Sequence, residues 1–286
     1  MAKRILSTIV LWTVIIGSLW FFGAHAAVVL VTLLSALTLH EFYQLTARMG
    51  ARAFHGMGIV FSLLMTAGPY CGVAFAGEDR HGYHAISAAL LAIGLLIAAL
   101  VISCFRVLGE RDNTNRVETI AATMMGLLYV PLMLQFLVLI LMFDADSTDN
   151  LVLVIWTVVV SKFCDMGALL TGMAIGKHKM SPNISPKKTW EGAVGGVLFS
   201  AGTGATIAFF AAGHLPETMT PLIAALLAVP LAITTIVSDL IESVVKRRAD
   251  AKDSGKMIPG IGGAFDLMDS LILTAPVAYL MFLFLD

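Results

Sequence analysis

The sequence predicts an all-α integral membrane protein that crosses the bilayer about nine times with its N-terminus in the cytoplasm. Three observations lead there. First, 58% of the 286 residues are hydrophobic and 13% are charged, with mean hydropathy +0.90, whereas a soluble domain is about 45–50% apolar and about 25% charged. Second, nine apolar runs, at 5–22, 24–40, 58–76, 85–105, 119–143, 150–175, 192–213, 219–237 and 268–285, approach the roughly 20 residues that span a hydrocarbon core as a helix. Third, all but two of the 18 Lys and Arg residues, the exceptions being Arg80 and Lys162, fall at the N-terminus or on alternate connections. That is the pattern of basic loops retained on the cytoplasmic side.

Taken in order, Lys3 and Arg4 precede the first run, and only Gly23 separates it from the second, which opens with Ala24-His25. A basic start, an apolar stretch and Ala24-His25-Ala26 also resemble a cleavable signal. Signal cores, however, are about 7–15 residues long, and here a longer run is followed at once by another, so a membrane helix is expected. The third, fourth and fifth runs are uninterrupted, while the sixth carries Lys162 and Asp165. The longest polar stretches are 176–191, with four lysines, and 238–267, with five basic residues. With no internal repeat or linker, residues 1–286 read as one membrane domain, 1–145 mainly scaffold and 150–286 carrying the site.

Net charge −1 and a pI near 6.6 argue against a nucleic-acid partner, which requires a basic face. Cys71, Cys104 and Cys164 lie in or beside apolar runs without disulfide or metal-ligand spacing, so they read as small hydrophobes. The seven histidines form no spaced metal cluster, and no Ser-His-Asp or Cys-His set can be assembled, so covalent catalysis is not indicated.

Ionisable residues within spans are costly and tend to face a cavity with a function. Asp165 lies midway along the sixth run, Asp239 just after the eighth, and Asp266 and Asp269 at the start of the ninth. The i, i+3 spacing of the last two turns both to one side of a helix, where they repel unless a cation lies between them. Mg²⁺ favours oxygen ligands, typically one or two carboxylates together with substrate phosphates. Asp239, Asp266 and Asp269 are therefore the expected metal ligands and catalytic residues, with room for a second cation. An Asp can also simply stabilise a helix N-terminus. That reading suits Asp266 alone, because Asp239 is expected at a C-terminal end.

In the stretch Asn183–Gly196, Ser185 followed by Pro186 reads as a helix start, and its backbone N–H groups beside Lys187 and Lys188 would suit a phosphate. The alternative is a basic loop that only sets topology. Gly192, Gly196, Ser200 and Gly204 recur every fourth residue, a pattern that permits close helix packing. Lys246, Arg247, Arg248, Lys252 and Lys256 precede Pro-Gly-Ile-Gly-Gly at 259–263 and the Asp266/Asp269 pair. Cations, close-approach backbone and carboxylates are the parts that phosphoryl and nucleotidyl transfer require.

These residues resemble the phosphatidate cytidylyltransferase (CDP-diacylglycerol synthase) family. Its signature runs Ser-x-x-Lys-Arg, four residues, Lys-Asp, then Pro-Gly-His-Gly-Gly, two residues, and Asp-Arg-x-Asp-Ser. The chain supplies Ser243, Lys246-Arg247, Lys252-Asp253, Pro259 to Gly263 and Asp266 to Ser270, departing at Ile261 and Leu267 where the family has His and Arg. The Ser-Pro-Lys-Lys-Thr-x-Glu-Gly motif is matched by Ser185 to Gly192, a second motif by Asp165 with Gly172, Gly176 and Lys177, and a third by Glu41 to Leu45. The resemblance implies transfer of CMP from CTP to phosphatidate, giving CDP-diacylglycerol and pyrophosphate, with Mg²⁺, in the inner membrane with the site facing the cytoplasm. It also implies substrate contacts by Asp165, Ser185, Pro186, Lys187, Lys188, Thr189, Glu191, Lys246, Arg247, Lys252, Asp253, Gly260, Gly262 and Gly263. The expected partners are CTP, phosphatidate and the bilayer, with a homodimer as a candidate assembly. The retained polar residues predict activity despite Ile261 and Leu267. Two other readings stand beside this one: a CTP-dependent enzyme of another lipid or polyprenol phosphate, and a transporter.

Overall fold

The computed structural model describes residues 2–76, 83–109, 115–143, 147–255 and 262–285. Gly260 and Ile261, with Lys256 and Pro259, lie outside the described residues. The chain forms two compact units, Met1–Met142 with Arg248–Met268, and Phe143–Arg247 with Asp269–Asp286.

The first unit contains α1 (Ala2–Arg48), α2 (His55–Ala76), α3 (Tyr83–Gly109), α4 (Arg116–Tyr129) and α5 (Pro131–Ile140). The first two expected spans both lie in α1, which kinks at Gly23 (φ 53, ψ −130), a conformation natural to a residue without Cβ. The single expected run 119–143 is broken at Val130, because Pro131 brings no N–H to continue the helix. Tyr43 ties three helices together: its hydroxyl donates to Thr123 O at 2.9 Å, and its ring fills the space left by Gly58 and Gly126. Phe42, Tyr129 and Phe265 pack edge-on or tilted around one another.

The second unit contains α6 (Ser147–Ile175), a two-stranded antiparallel hairpin of β1 (Lys179–Ser181) and β2 (Ser185–Thr189), α7 (Trp190–Phe210), α8 (Pro221–Arg248) and α10 (Thr274–Phe282). The chain passes from the first unit to the second within α9 (Ala264–Ile272). The Gly192/Gly196/Ser200/Gly204 stripe is buried and packs against α6. A Cβ on Gly192 would stand 2.8 Å from Ala168 O, and one on Gly196 2.8 Å from Cys164 O. Ser200 Oγ donates to Val160 O at 3.1 Å, and Trp156 Nε1 to Gly204 O at 3.1 Å. Gly196→Val is expected to cost about 1–3 kcal/mol by overpacking, read as a lowered thermal midpoint in detergent. An unchanged midpoint would mean that the two helices do not need this approach.

Among the described residues seven helices are long and apolar enough to cross a membrane, against the nine runs read from the sequence. The difference arises at α1, which holds two runs, and at α2, which is outside that set. Two expectations need correction. Ser185 and Pro186 do not open a helix. They lie in β2, a strand of a two-stranded hairpin where a missing N–H is tolerated, and α7 starts four residues later on Thr189, whose Oγ1 accepts from Gly192 N at 3.1 Å. Nor does Asp239 end its helix: α8 continues to Arg248, since no Gly or Pro interrupts 238–248 and Leu240, Glu242, Lys246, Arg247 and Arg248 are good helix formers.

Candidate functional site

Ser238 and Asp239 organise the second unit's polar centre. The break between α9 and α10 interrupts the bond that Leu273 N would make to Asp269 O, four residues back. Ser238 takes its place: Leu273 N donates to Ser238 Oγ at 3.3 Å, and the Ser238 hydroxyl donates to Asp269 O. This inserted hydroxyl fastens α9 to α8 next to Asp239. One turn away on α8, Thr235 meets Thr274, the first residue of α10, with hydroxyls 3.1 Å apart.

Asp239, Glu242 and Asp269 consequently converge, each offering a carboxylate oxygen within 4.8 Å of the other two. Three anions at this separation need compensation, and three lysines supply it. Lys188 Nζ lies 2.5 Å from Asp239 Oδ2, Lys246 Nζ 2.7 Å from Glu242 Oε1, and Lys162 Nζ 3.7 Å from Asp269 Oδ1. Lys162 also donates to Ser270 Oγ at 2.7 Å, while Ser270 N donates to Asp269 Oδ1 at 2.5 Å. Asp165, half-buried on α6, feels the same charges, those of Lys162, Asp269, Asp239 and Lys188. Three hard oxygen donors of this kind are compatible with a divalent cation.

Glu242 was absent from the sequence-derived set. The signal existed, since Asp239 and Glu242 have the same i, i+3 spacing as Asp266 and Asp269. It was hidden by ending the eighth helix at 237.

Asp266 belongs to the first unit and has its own neighbourhood there. Its Oδ2 accepts from Gly263 N at 2.8 Å, Ser254 N at 3.0 Å and Ser254 Oγ at 2.9 Å. As the third residue of α9 reaching back to the residue before the helix, it forms one half of a capping box. Ser254 Oγ also lies 2.8 Å from Glu41 Oε2, which accepts from Phe265 N at 2.9 Å. Glu41 is buried, and Gly255 and Gly263 leave it the space a Cβ would fill. Gly262 has φ +118, and a Cβ there would stand 2.5 Å from Asp266 Oδ2. Two carboxylates thus shape the turn into α9. Lys252 and Asp253 in the same segment are exposed.

The remaining residues expected to touch substrate fall around the hairpin. Lys187 is exposed, and Arg247 Nε donates to Ile184 O at 3.3 Å, holding the hairpin loop to α8. Glu191 accepts from Lys177 N and His178 N, each at 3.2 Å, and meets His178 Nδ1 at 2.5 Å. It therefore clamps the turn after α6, while Thr189 caps α7 and fills the space beside Gly172 and Gly176.

A sequence model of the cytidylyltransferase family matches residues 2–285. The chain is 38% identical over 170 residues to a phosphatidate cytidylyltransferase of Mycobacterium leprae, covering 59% of this chain and 51% of that protein. It is 34% identical over 165 residues to one from Rickettsia bellii, covering 57% and 69%. With one from Thermotoga maritima it shares 32% over 188 residues, covering 64% and 66%. The matched stretch thus spans about half the length of the Mycobacterium leprae relative.

Proposed function

Because the chain belongs to the cytidylyltransferase family, we propose that it transfers CMP from CTP to phosphatidate, releasing CDP-diacylglycerol and pyrophosphate. The observation that carries this reading is the Asp239, Glu242 and Asp269 group interleaved with Lys188, Lys246 and Lys162. We assign it to the cytoplasmic side of the cell membrane, where the basic loops predict it, and treat the chain as one functional membrane domain.

A phosphatidate oxygen attacks the α-phosphorus of CTP. The bond from that phosphorus to the oxygen bridging to the β-phosphorus breaks, and pyrophosphate leaves with the electron pair. A phosphate monoester has a second pKa near 6, so the nucleophile is already anionic at neutral pH and no strong general base is required. The protein's task is to align two polyanions and offset the charge of the leaving group. A bound Mg²⁺, held by Asp239, Glu242 and Asp269, would supply Lewis-acid stabilisation of phosphate oxygens. Lys188, Lys246 and Lys162 offset the charge of the converging carboxylates and provide ammonium donors that phosphate oxygens can share. Ser238 fixes the backbone carrying Asp269. Exposed Lys187, Lys252 and Asp253 remain proposed substrate contacts, with Asp266 and Glu41 shaping the backbone before α9.

The two neighbouring lysines should separate in experiment. Lys188→Met removes the partner of Asp239 and is expected to lower kcat/KM about ten- to hundredfold, the scale of a charged hydrogen bond. Lys187→Met should act mainly through KM. Equal, small losses per correctly inserted molecule would return this pair to a purely topological role. The reaction itself is tested by following labelled CTP into lipid with purified protein and phosphatidate.

A further inference from the structure

The end of α6 and the start of α7 border a groove of about 1050 Å³ that Asp239, Glu242 and Asp269 do not line. Its walls include Ile175, Val194 and Leu198, all more than half exposed, together with Phe199 and Thr171. Lys177 and Lys179 stand at its mouth with both side chains exposed, beside Trp190, itself 59% exposed. Glu191, the acid of the groove, is engaged by the backbone of Lys177 and His178 and by the His178 ring. Among the described residues neither Lys177 nor Lys179 has a carboxylate partner. From Trp190 to Leu198, α7 descends about 12 Å at 1.5 Å per residue. Lys177, Lys179, Trp190 and Ile175 stand at the end where α6 stops and α7 starts, and Val194 and Leu198 carry the aliphatic wall onward along α7.

That order matches a phospholipid standing in a monolayer: an anionic headgroup, an ester region where Trp side chains concentrate, then acyl chain. We infer that the α6/α7 groove is a binding site for one anionic phospholipid, its phosphate held by Lys177 and Lys179 and a chain lying between Ile175, Val194 and Leu198. A second copy of this chain would have to bring acidic residues to the two lysines within an otherwise apolar contact. A soluble phosphate would leave the apolar wall unexplained. The site requires only that α6 and α7 lie in a bilayer and is independent of the proposed reaction.

Trp190 provides the readout. The whole 286-residue chain is reconstituted in phosphatidylcholine vesicles containing either brominated phosphatidylglycerol or brominated phosphatidylcholine, and Trp190→Phe gives the share of quenching due to Trp190. Brominated phosphatidylglycerol is expected to quench Trp190 more strongly at equal mole fraction. A Lys177→Gln/Lys179→Gln variant should lose about tenfold or more in that relative affinity, as expected for two basic residues at a bilayer surface. Lys177→Arg/Lys179→Arg should retain it, and inorganic phosphate should leave it unchanged. Equal quenching by both lipids, which marks ordinary solvation, would overturn the inference. So would no quenching by either, which marks a face covered by a second copy, a preference that survives the Gln substitutions or is lost in the Arg variant, or its loss on adding phosphate.

Discussion

Asp269→Asn is expected to lower kcat by at least about 100-fold, the scale of removing one group that stabilises transition-state charge, while leaving the protein folded. Asn keeps the volume and can still accept from Ser270 N, so the local geometry survives. What is lost is the anion that faces Lys162 and shares a centre with Asp239 and Glu242. Glu242→Gln is expected to behave alike, although Glu242 lies outside the family signature quoted above. That second variant gives the test its strength, because a loss confined to Asp269 would point to a single catalytic carboxylate instead of a three-ligand centre. Turnover within about threefold of the parent at saturating Mg²⁺ would remove the substituted residue from the metal group.

Gly263→Ala is expected to have the second-largest effect, on stability and turnover together. The added methyl would fall on Glu41 Oε2 and Ser254 Oγ, two atoms already bonded to each other and to the backbone entering α9. Because Glu41 is buried among packed helices, the turn must give way. Overpacking of this kind costs about 1–3 kcal/mol, and the Ser254 and Phe265 bonds go with it. A thermal midpoint and a turnover number both equal to the parent's would show that Glu41 does not fix this turn.

The membrane helices were legible because hydropathy is local and their apolar runs are long. The closely packed face of α7 was legible for a similar reason, since a small residue at every fourth position suits close helix packing, but that α6 is the helix it meets was not. The end of α8 was not, because hydropathy reports where the bilayer ends and not where the helix ends, and Glu242 was lost with it. The start of α7 was misplaced because Ser185-Pro186 and Thr189 both offer helix-start chemistry, and β1 pairing claims the first. The pairs Lys188–Asp239 and Glu41–Ser254 join segments remote in sequence. No window along the chain could reveal them, and Glu41 came to notice only through family resemblance.

The most direct measurement uses the unmodified chain, with Ile261 and Leu267 in place, in mixed micelles of phosphatidate with CTP labelled at the α-phosphate. The account predicts label in the lipid product, equimolar release of pyrophosphate, and loss of both when the divalent cation is chelated. Label left in water-soluble nucleotide in the presence of Mg²⁺, or lipid that gains label only when a parallel sample carries CTP labelled at the γ-phosphate, would contradict it.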